Sequence, residues 1–329
     1  MQQLRVGYVG TGGNAQGHLR RLSTIEGVSI VACCDVVEER ARAAAEQFGG
    51  RPYTDWRRMM DEVEMEVCYF SLPPFAHEGA EIAAVERGIH IFVEKPVVMD
   101  LELGIRTKEA IEKAGVLSSV GYQSRYQPWN HALRDFLVQR TIGMAVAERW
   151  GGIAGGPHHW WRVMEKSGGM LHEQATHQLD LLRFFAGEIA EVYKKEALRI
   201  NVDQENHTIP DAEVVILEFA SGAIGYITTS SALIHGGGGS RIEFIVEGHL
   251  RVRHQGNQPP LIAPEGAATV DPPTVQLPES IDHAFIEAIR TNRPELIQSD
   301  YADGLRTCAV TLAANQSARE GRPIRVPTV

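Results

Sequence analysis

The chain has 329 residues, too many for one small core and suited to two domains. Its 43% apolar and 22% charged residues are those of an ordinary globular protein and exclude a disordered chain. A net charge of −10 excludes a general basic surface for nucleic acid or an anionic membrane, although backbone amides at a helix start can hold a phosphate without Lys or Arg.

From Leu4 to about Gly121, short apolar runs alternate with helical patterns. The runs Leu4–Val9, Val28–Cys34, 67–72, 89–93 and 116–120 read as strands covered on both faces. Between them, Ala41, Ala44, Ala45 and Phe48 share one helical face that stops at Gly49-Gly50. Such alternation predicts an α/β fold with a doubly wound parallel sheet over 1–121. The remainder, 122–329, predicts an α+β domain. Helices at about 129–140 and 173–185 bracket a Gly- and Trp-rich loop, and strands follow at 191–200, 212–220, 223–232, 241–247 and 249–254. Ile242, Phe244 and Val246 alternate with Arg241, Glu243 and Glu247, as in an antiparallel sheet with one wet face. The Pro-rich stretch 255–278 reads mostly as loop, and helices at 281–291 and 301–319 close the chain.

Cys33, Cys34, Cys68 and Cys308 match neither a zinc spacing nor a secreted disulfide pattern, and are expected to be reduced core residues. The first strand starts almost at Met1 and no apolar run is long enough for a bilayer span, so a soluble cytoplasmic protein is expected.

Directly after the first strand, Gly10-Thr11-Gly12-Gly13-Asn14-Ala15 fits G-x-G-x-x-A. Gly10 permits the tight turn, Gly12 lets the backbone approach a pyrophosphate, and Ala15 allows close helix–strand packing. Asp35 closes the second strand, where a carboxylate accepts hydrogen bonds from a ribose diol and repels a 2′-phosphate. A dinucleotide is therefore expected, NAD in preference to NADP.

Two further segments carry chemistry. Glu94-Lys95-Pro96 ends a buried strand; the proline restricts Lys95 to extended backbone and leaves the Lys-Pro bond open to the cis form. An ammonium held beside a cationic nicotinamide would have its pKa lowered and could exchange a proton near neutrality. Later, Glu173 and His177 are four residues apart, so one continuous helix would stack them on one face, with Asp180 near the same stripe. A carboxylate beside an imidazole orients it and raises its basicity, as a general base needs. His172 and His177 are spaced one residue too far for H-E-x-x-H, so no catalytic metal is expected.

Taken together, these segments resemble the glucose–fructose oxidoreductase / inositol dehydrogenase / MocA (Gfo/Idh/MocA) family of NAD(P)-dependent oxidoreductases. The resemblance runs in order through Val6-Gly7-Tyr8-Val9 with the glycine turn, Ser71-Leu72-Pro73-Pro74-Phe75-Ala76-His77, the strand ending in Glu94-Lys95-Pro96, Gly121-Tyr122-Gln123-Ser124-Arg125-Tyr126, and Gly168-Gly169 through His177 to Asp180. It implies an N-terminal Rossmann domain (1–121) that binds NAD. It also implies a C-terminal domain (122–329) for substrate and oligomerisation, built on a large open, mostly antiparallel sheet, whose closing helices are able to pack back on the first. A homodimer or homotetramer through that sheet is expected. The lysine of Glu-Lys-Pro would contact substrate and nicotinamide. The histidine of the family's D-x-x-x-H element carries to His177 as acid/base, with Glu173 in the aspartate position. Cofactor contacts carry to Gly10, Thr11, Gly12, Gly13, Asn14, Asp35, Pro73, His77, Glu94, Lys95 and Gln123, the last at the end of the fifth strand. Arg125 joins Lys95, Glu173 and His177 as a substrate contact, and His158-His159-Trp160-Trp161-Arg162 would supply a sugar platform through His159, Trp160, Trp161 and Arg162, since aromatic faces stack on sugar rings.

The reading that follows is hydride transfer between a secondary alcohol or ketone carbon of a sugar, polyol or sugar derivative and a nicotinamide. Alternatives are an NAD-dependent glycoside-cleaving enzyme working by transient oxidation and elimination, and a non-catalytic NAD-sensing regulator.

Overall fold

In the computed structural model, which describes residues 3–153 and 155–329, the first apolar runs become strands of one sheet. In chain order the elements are β1 (Leu4–Val9), α1 (Ala15–Leu22), β2 (Val28–Cys34), α2 (Glu38–Phe48), β3 (Arg51–Tyr53), α3 (Trp56–Glu62), β4 (Val67–Phe70), α4 (Ala80–Val85), β5 (His90–Val93), α5 (Leu101–Ala114) and β6 (Ser118–Val120). The strand order is β3-β2-β1-β4-β5-β6 and every neighbour is parallel, the doubly wound arrangement of dinucleotide-binding folds. All four residues of β4 are buried, as helices on both sheet faces require. Cys33, Cys34 and Cys68 are buried here without disulfides. The sheet has six strands rather than the expected five. Arg51-Pro52-Tyr53 carries no apolar run, and as an edge strand it tolerates a proline.

The chain continues with α6 (Pro128–Val138), β7 (Ile142–Trp150), α7 (Met164–Ser167), α8 (Gly169–Glu173), α9 (Thr176–Ala186), β8 (Ile189–Ala197), β9 (Ala212–Phe219), β10 (Ile224–Ser230), β11 (Gly239–Val246), β12 (Leu250–Arg253), β13 (Leu261–Ala263), α10 (Ile281–Thr291), α11 (Tyr301–Glu320) and β14 (Ile324–Arg325). The second sheet runs β13-β12-β11-β7-β10-β9-β8-β14. Only β7 and β10 pair in parallel; the other neighbours are antiparallel. Sequence patterning misses β7, the strand on which α9 packs. Its inward residues Ala145 and Ala147 are fully buried. Small side chains admit a close helix but give little strand signal.

By its internal packing the chain forms two compact units. One holds the residues up to Gly121 together with Leu277–Gly304, hence α10; the other holds Tyr122–Gln276 and Leu305–Val329. In the second unit, α6, α9 and α11 supply Leu133, Leu182, Phe185 and Val310 to a core shared with Val215, Leu217, Ile227 and Phe244 of the sheet. The alternation along β9 is complete: Glu213, Val215, Leu217 and Phe219 face inward and are buried, while Val214 and Ile216 are exposed. Some charges on this sheet are buried, and one of them, Glu243, departs from the expected wet face. Glu243 is buried beneath Arg251 and Arg253, which it accepts at 2.8 and 2.6 Å. Lys194 is wholly buried, with its ammonium 2.6 Å from Glu213. Among the described residues no helix is long and apolar enough to cross a membrane.

Candidate active site

In the first unit, the candidate residues follow the carboxyl ends of adjacent parallel strands: Gly10 after β1, Asp35 after β2, Ser71 after β4 and Glu94 after β5. Parallel sheets bind ligands outside this edge. Gly10 has φ +86°, and a Cβ there would stand 2.4 Å from the Ser71 carbonyl oxygen, so only glycine makes the turn. Gly12 and Gly13 differ: a Cβ at either would meet nothing of the chain within 4 Å. Packing does not demand glycine there, and the open space is what a diphosphate approaching the start of α1 needs. The Asp35 carboxylate, buried, accepts the Thr11 N–H at 2.9 Å and the Val37 N–H at 2.9 Å. It ties the glycine turn to the end of β2 and keeps further acceptor capacity. The turn, the helix start and Asp35 thus fit a dinucleotide.

Pro73 lies in the turn after β4, where its carbonyl accepts the Ala76 N–H at 2.8 Å. His77, almost fully buried, is hydrogen-bonded through Nδ1 to Glu81 one helical turn on. Its Nε2 has no partner among the described residues. The Lys95-Pro96 bond is cis. Lys95 is half-buried, and its backbone N–H donates to Glu94 Oε2 at 3.1 Å. Glu94 Oε1 meets His18 Nε2 at 2.8 Å, and His18 Nδ1 meets Asp282 Oδ1 at 2.6 Å. Sequence inspection passes over His18 and Asp282, because partners so far apart in the chain leave no local pattern.

In the second unit, the expected continuous helix over 173–185 is interrupted. Glu173 ends α8, Gln174 and Ala175 form a turn, and His177 sits in the first turn of α9. The Ala175 N–H donates to the Met170 carbonyl at 2.8 Å, five residues back. The Gln174 N–H donates to the same carbonyl at 3.0 Å, so one acceptor closes the end of α8. Glu173 and His177 therefore lie on two successive helices rather than on the one continuous helix that the spacing predicts. Tyr122 anchors α9 from the side: its hydroxyl lies 2.9 Å from Thr176 Oγ1 and its ring meets that of His177 edge-on at 6.0 Å. Asp180, expected on the Glu-His stripe, is buried and receives Arg125 in a fork, Nε at 2.9 Å and Nη2 at 2.6 Å. The Arg125 guanidinium is thus engaged in holding α9 to the 3-10 turn Gln123–Tyr126. Gln123 is exposed and follows the sixth strand rather than the fifth, a consequence of the unanticipated β3.

The aromatic segment adds a small cleft in the same unit, lined by Trp161, Arg162 and Glu173 with Ile153, Gly169, Met170, Gln174 and Ile209. His159 stacks on Trp160 and meets Trp161 edge-on. Arg162, buried, donates to the Glu205 carbonyl at 3.1 Å. Burial, helped by the charge of Arg162, depresses the pKa values of His159 and His207, so both stay neutral at neutral pH. Of the residues singled out in the sequence, Trp161, Arg162 and Glu173 are brought to one cleft. Ile153, Met170 and Ile209 were missed there, since apolar lining residues read as ordinary core.

Comparison with known proteins bears on the same edge and cleft. The family model of the GFO/IDH/MocA oxidoreductases, described by its NAD-binding Rossmann fold, matches residues 4–122. The model of the GFO/IDH/MocA C-terminal domain matches residues 138–249. The chain belongs to the GFO/IDH/MocA family of oxidoreductases. Among relatives, it is 25% identical over 335 residues to the uncharacterized oxidoreductase YrbE of Bacillus subtilis, covering 99% of this chain and 97% of that one. It is 27% identical over 239 residues to the myo-inositol 2-dehydrogenase of Thermotoga maritima, covering 71% and 70%. Among solved structures, the WlbA dehydrogenase of Bordetella pertussis, in complex with NADH and UDP-GlcNAcA, superposes with a TM-score of 0.83 at 23% identity, covering 99% of each chain. The fold of that dehydrogenase therefore matches over 99% of this chain.

Proposed function

We propose that this oxidoreductase transfers hydride between a secondary alcohol or ketone carbon of a sugar or polyol and NAD, with the first unit holding the cofactor and the second the substrate. One observation carries the reading: the glycine turn with its open cradle, Asp35 and Lys95 all line the carboxyl edge of one parallel sheet. The inositol dehydrogenase relative supports the substrate class.

When bound, the nicotinamide supplies the acceptor or donor of the hydride. Gly10, Thr11, Gly12, Gly13 and Asn14 would hold its diphosphate and Asp35 its adenosine ribose, with Pro73, His77, Glu94 and Gln123 as further contacts. In the oxidising direction His177 or Lys95 takes the hydroxyl proton. In the reverse direction the Lys95 ammonium polarises the carbonyl oxygen. Glu173 accepts a substrate hydroxyl in the cleft, where Trp161 offers an apolar face and Arg162 a donor. Arg125 acts by fixing α9 rather than by touching substrate. The reduced, buried cysteines support a cytoplasmic location.

A panel of polyols, sugars and sugar acids tested with NAD⁺ and NADP⁺, followed by reduced-nicotinamide absorbance, tests the reading. Turnover of a polyol or sugar is expected, faster with NAD⁺ because Asp35 repels a 2′-phosphate. Glycoside cleavage without net NAD⁺ reduction would favour the elimination route instead, and cofactor binding without any turnover would favour a regulator.

The outer face of the second sheet supports a homodimer or homotetramer. Val214 and Ile216 on β9, Ile224 on β10, Met144 on β7 and Ile245 on β11 are all exposed, and strand register sets Ile224 beside Met144 and Met144 beside Ile245. Contiguous exposed apolar surface of this kind marks an interface. Analytical ultracentrifugation should find an oligomer, and Met144→Glu with Ile216→Glu should yield a folded monomer. A wild-type monomer at all concentrations would contradict the proposed assembly.

A further inference from the structure

The first unit contains a buried titratable chain of which only Glu94, as a cofactor contact, has a part in the reaction as proposed. His18, in α1, has both ring nitrogens on carboxylates: Nδ1 at 2.6 Å from Asp282 of α10 and Nε2 at 2.8 Å from Glu94 at the end of β5. An imidazole can donate from both nitrogens only when protonated. Burial works against that charge, but the hydrogen bonds to Asp282 and Glu94 outweigh it and lift the pKa to about 9. Asp282 is further bonded by Arg21 and titrates low, burial being overcome by His18 and Arg21. Among the described residues the ring also meets Tyr69 on β4, a phenol kept neutral mainly by burial, and Phe92 on β5, and the guanidinium of Arg21, one helical turn on in α1, lies 3.2 Å from Nδ1 beside its bond to Asp282.

Glu94 is fixed from two more sides. Its Oε2 accepts the backbone N–H of Lys95 at 3.1 Å. A Cβ on Gly121 would stand 2.8–2.9 Å from both carboxylate oxygens and the carbon between them, so the carboxylate occupies the space that glycine leaves. The carboxylate next to Lys95 therefore has its place set by α1, by α10 and by the residue that follows β6.

We propose that Asp282, His18 and Glu94 form a buried relay that fixes the backbone from which Lys95 projects, making His18 and Asp282 positioning residues for the oxidoreductase reaction. The inference rests on the reading of Lys95 as a proton-handling group. Protonated His18 holds both carboxylates; on deprotonation one nitrogen becomes an acceptor facing an acceptor, one bond is lost, and the anchor of Lys95 loosens.

The test measures kcat, KM and NADH affinity for His18→Gln, Asp282→Asn and Gly121→Ala, using myo-inositol or whichever panel compound is turned over fastest. His18→Gln should lower kcat by about 10- to 100-fold, the scale of a misplaced reacting group, while NADH affinity and the thermal transition show that the fold is intact. The wild-type kcat should fall on the alkaline side near pH 9, and His18→Gln should lack that fall. Gly121→Ala should lower kcat in the same way by displacing Glu94 while leaving His18 in place. Wild-type kcat in both variants, or an alkaline fall unchanged in His18→Gln, would overturn the relay. Lys95→Ala, run alongside, separates the two readings. If it is inactive while His18→Gln and Gly121→Ala behave as wild type, only the relay fails; if it keeps full turnover, the reading of Lys95 itself fails.

Discussion

Glu213→Leu is expected to destabilise the second unit by about 3 kcal/mol, the lower end of what breaking a buried ion pair costs. Glu213 and Lys194 are both essentially inaccessible to solvent and 2.6 Å apart. Removal of the carboxylate would leave a buried ammonium with Asn315 at 2.8 Å and the partly exposed Glu196 at 2.8 Å, which is why the loss stays at the lower end. The same carboxylate also accepts the N–H of Leu171 at 3.0 Å and the Thr229 hydroxyl, and so holds the start of α8, the helix that ends in Glu173. Calorimetry should show the transition lowered by roughly 6–12 °C, at 2–4 °C per kcal/mol for a unit of this size. The double variant Lys194→Met, Glu213→Leu should recover part of the loss, because apolar replacement of a whole buried pair is often neutral, the remainder being the cost of leaving the Leu171 N–H and the Thr229 hydroxyl without their acceptor. A single variant within about 0.5 kcal/mol of wild type, the range of ordinary surface changes, would show that the pair holds nothing.

How far the sequence discloses this molecule depends on whether the determining interactions are local. The parallel sheet is legible because its strands are continuous apolar runs and its first turn requires a glycine that no other residue can replace. The edge strand β3 and the alanine-lined β7 are not, since burial there comes from neighbouring elements rather than from apolar runs of their own. Periodicity places Glu173 and His177 on one helix, yet the helix breaks at Gln174-Ala175, and spacing alone cannot register such a break. The burial of Lys194 leaves no local signal either, because its partners Glu213 and Asn315 come from distant elements. His18 and Asp282 are invisible to any local pattern, and their bond exists only because α10 folds back into the first unit.

Lys95→Ala should abolish useful turnover while leaving cofactor affinity largely intact. The two effects should separate because, on the proposed reading, the cofactor would be held mainly by the glycine turn and Asp35, which are tied to each other by the Thr11 N–H and not to Lys95. A positioned acid/base group contributes about 10²–10⁴-fold, and a charge stabilising a developing alkoxide contributes about 10²–10³-fold. A lysine serving in both ways should therefore cost about 10³-fold or more in kcat, in both reaction directions. Lys95→Arg should not restore the rate, since a guanidinium keeps the charge but gives up no proton near neutrality. The decisive measurement is kcat of Lys95→Ala with the fastest panel compound, taken beside NADH affinity by fluorescence titration. A loss of about 10³-fold at unchanged NADH affinity is the expected result. Wild-type turnover at wild-type affinity would contradict it and leave the edge of the parallel sheet a cofactor site without its proton-handling group.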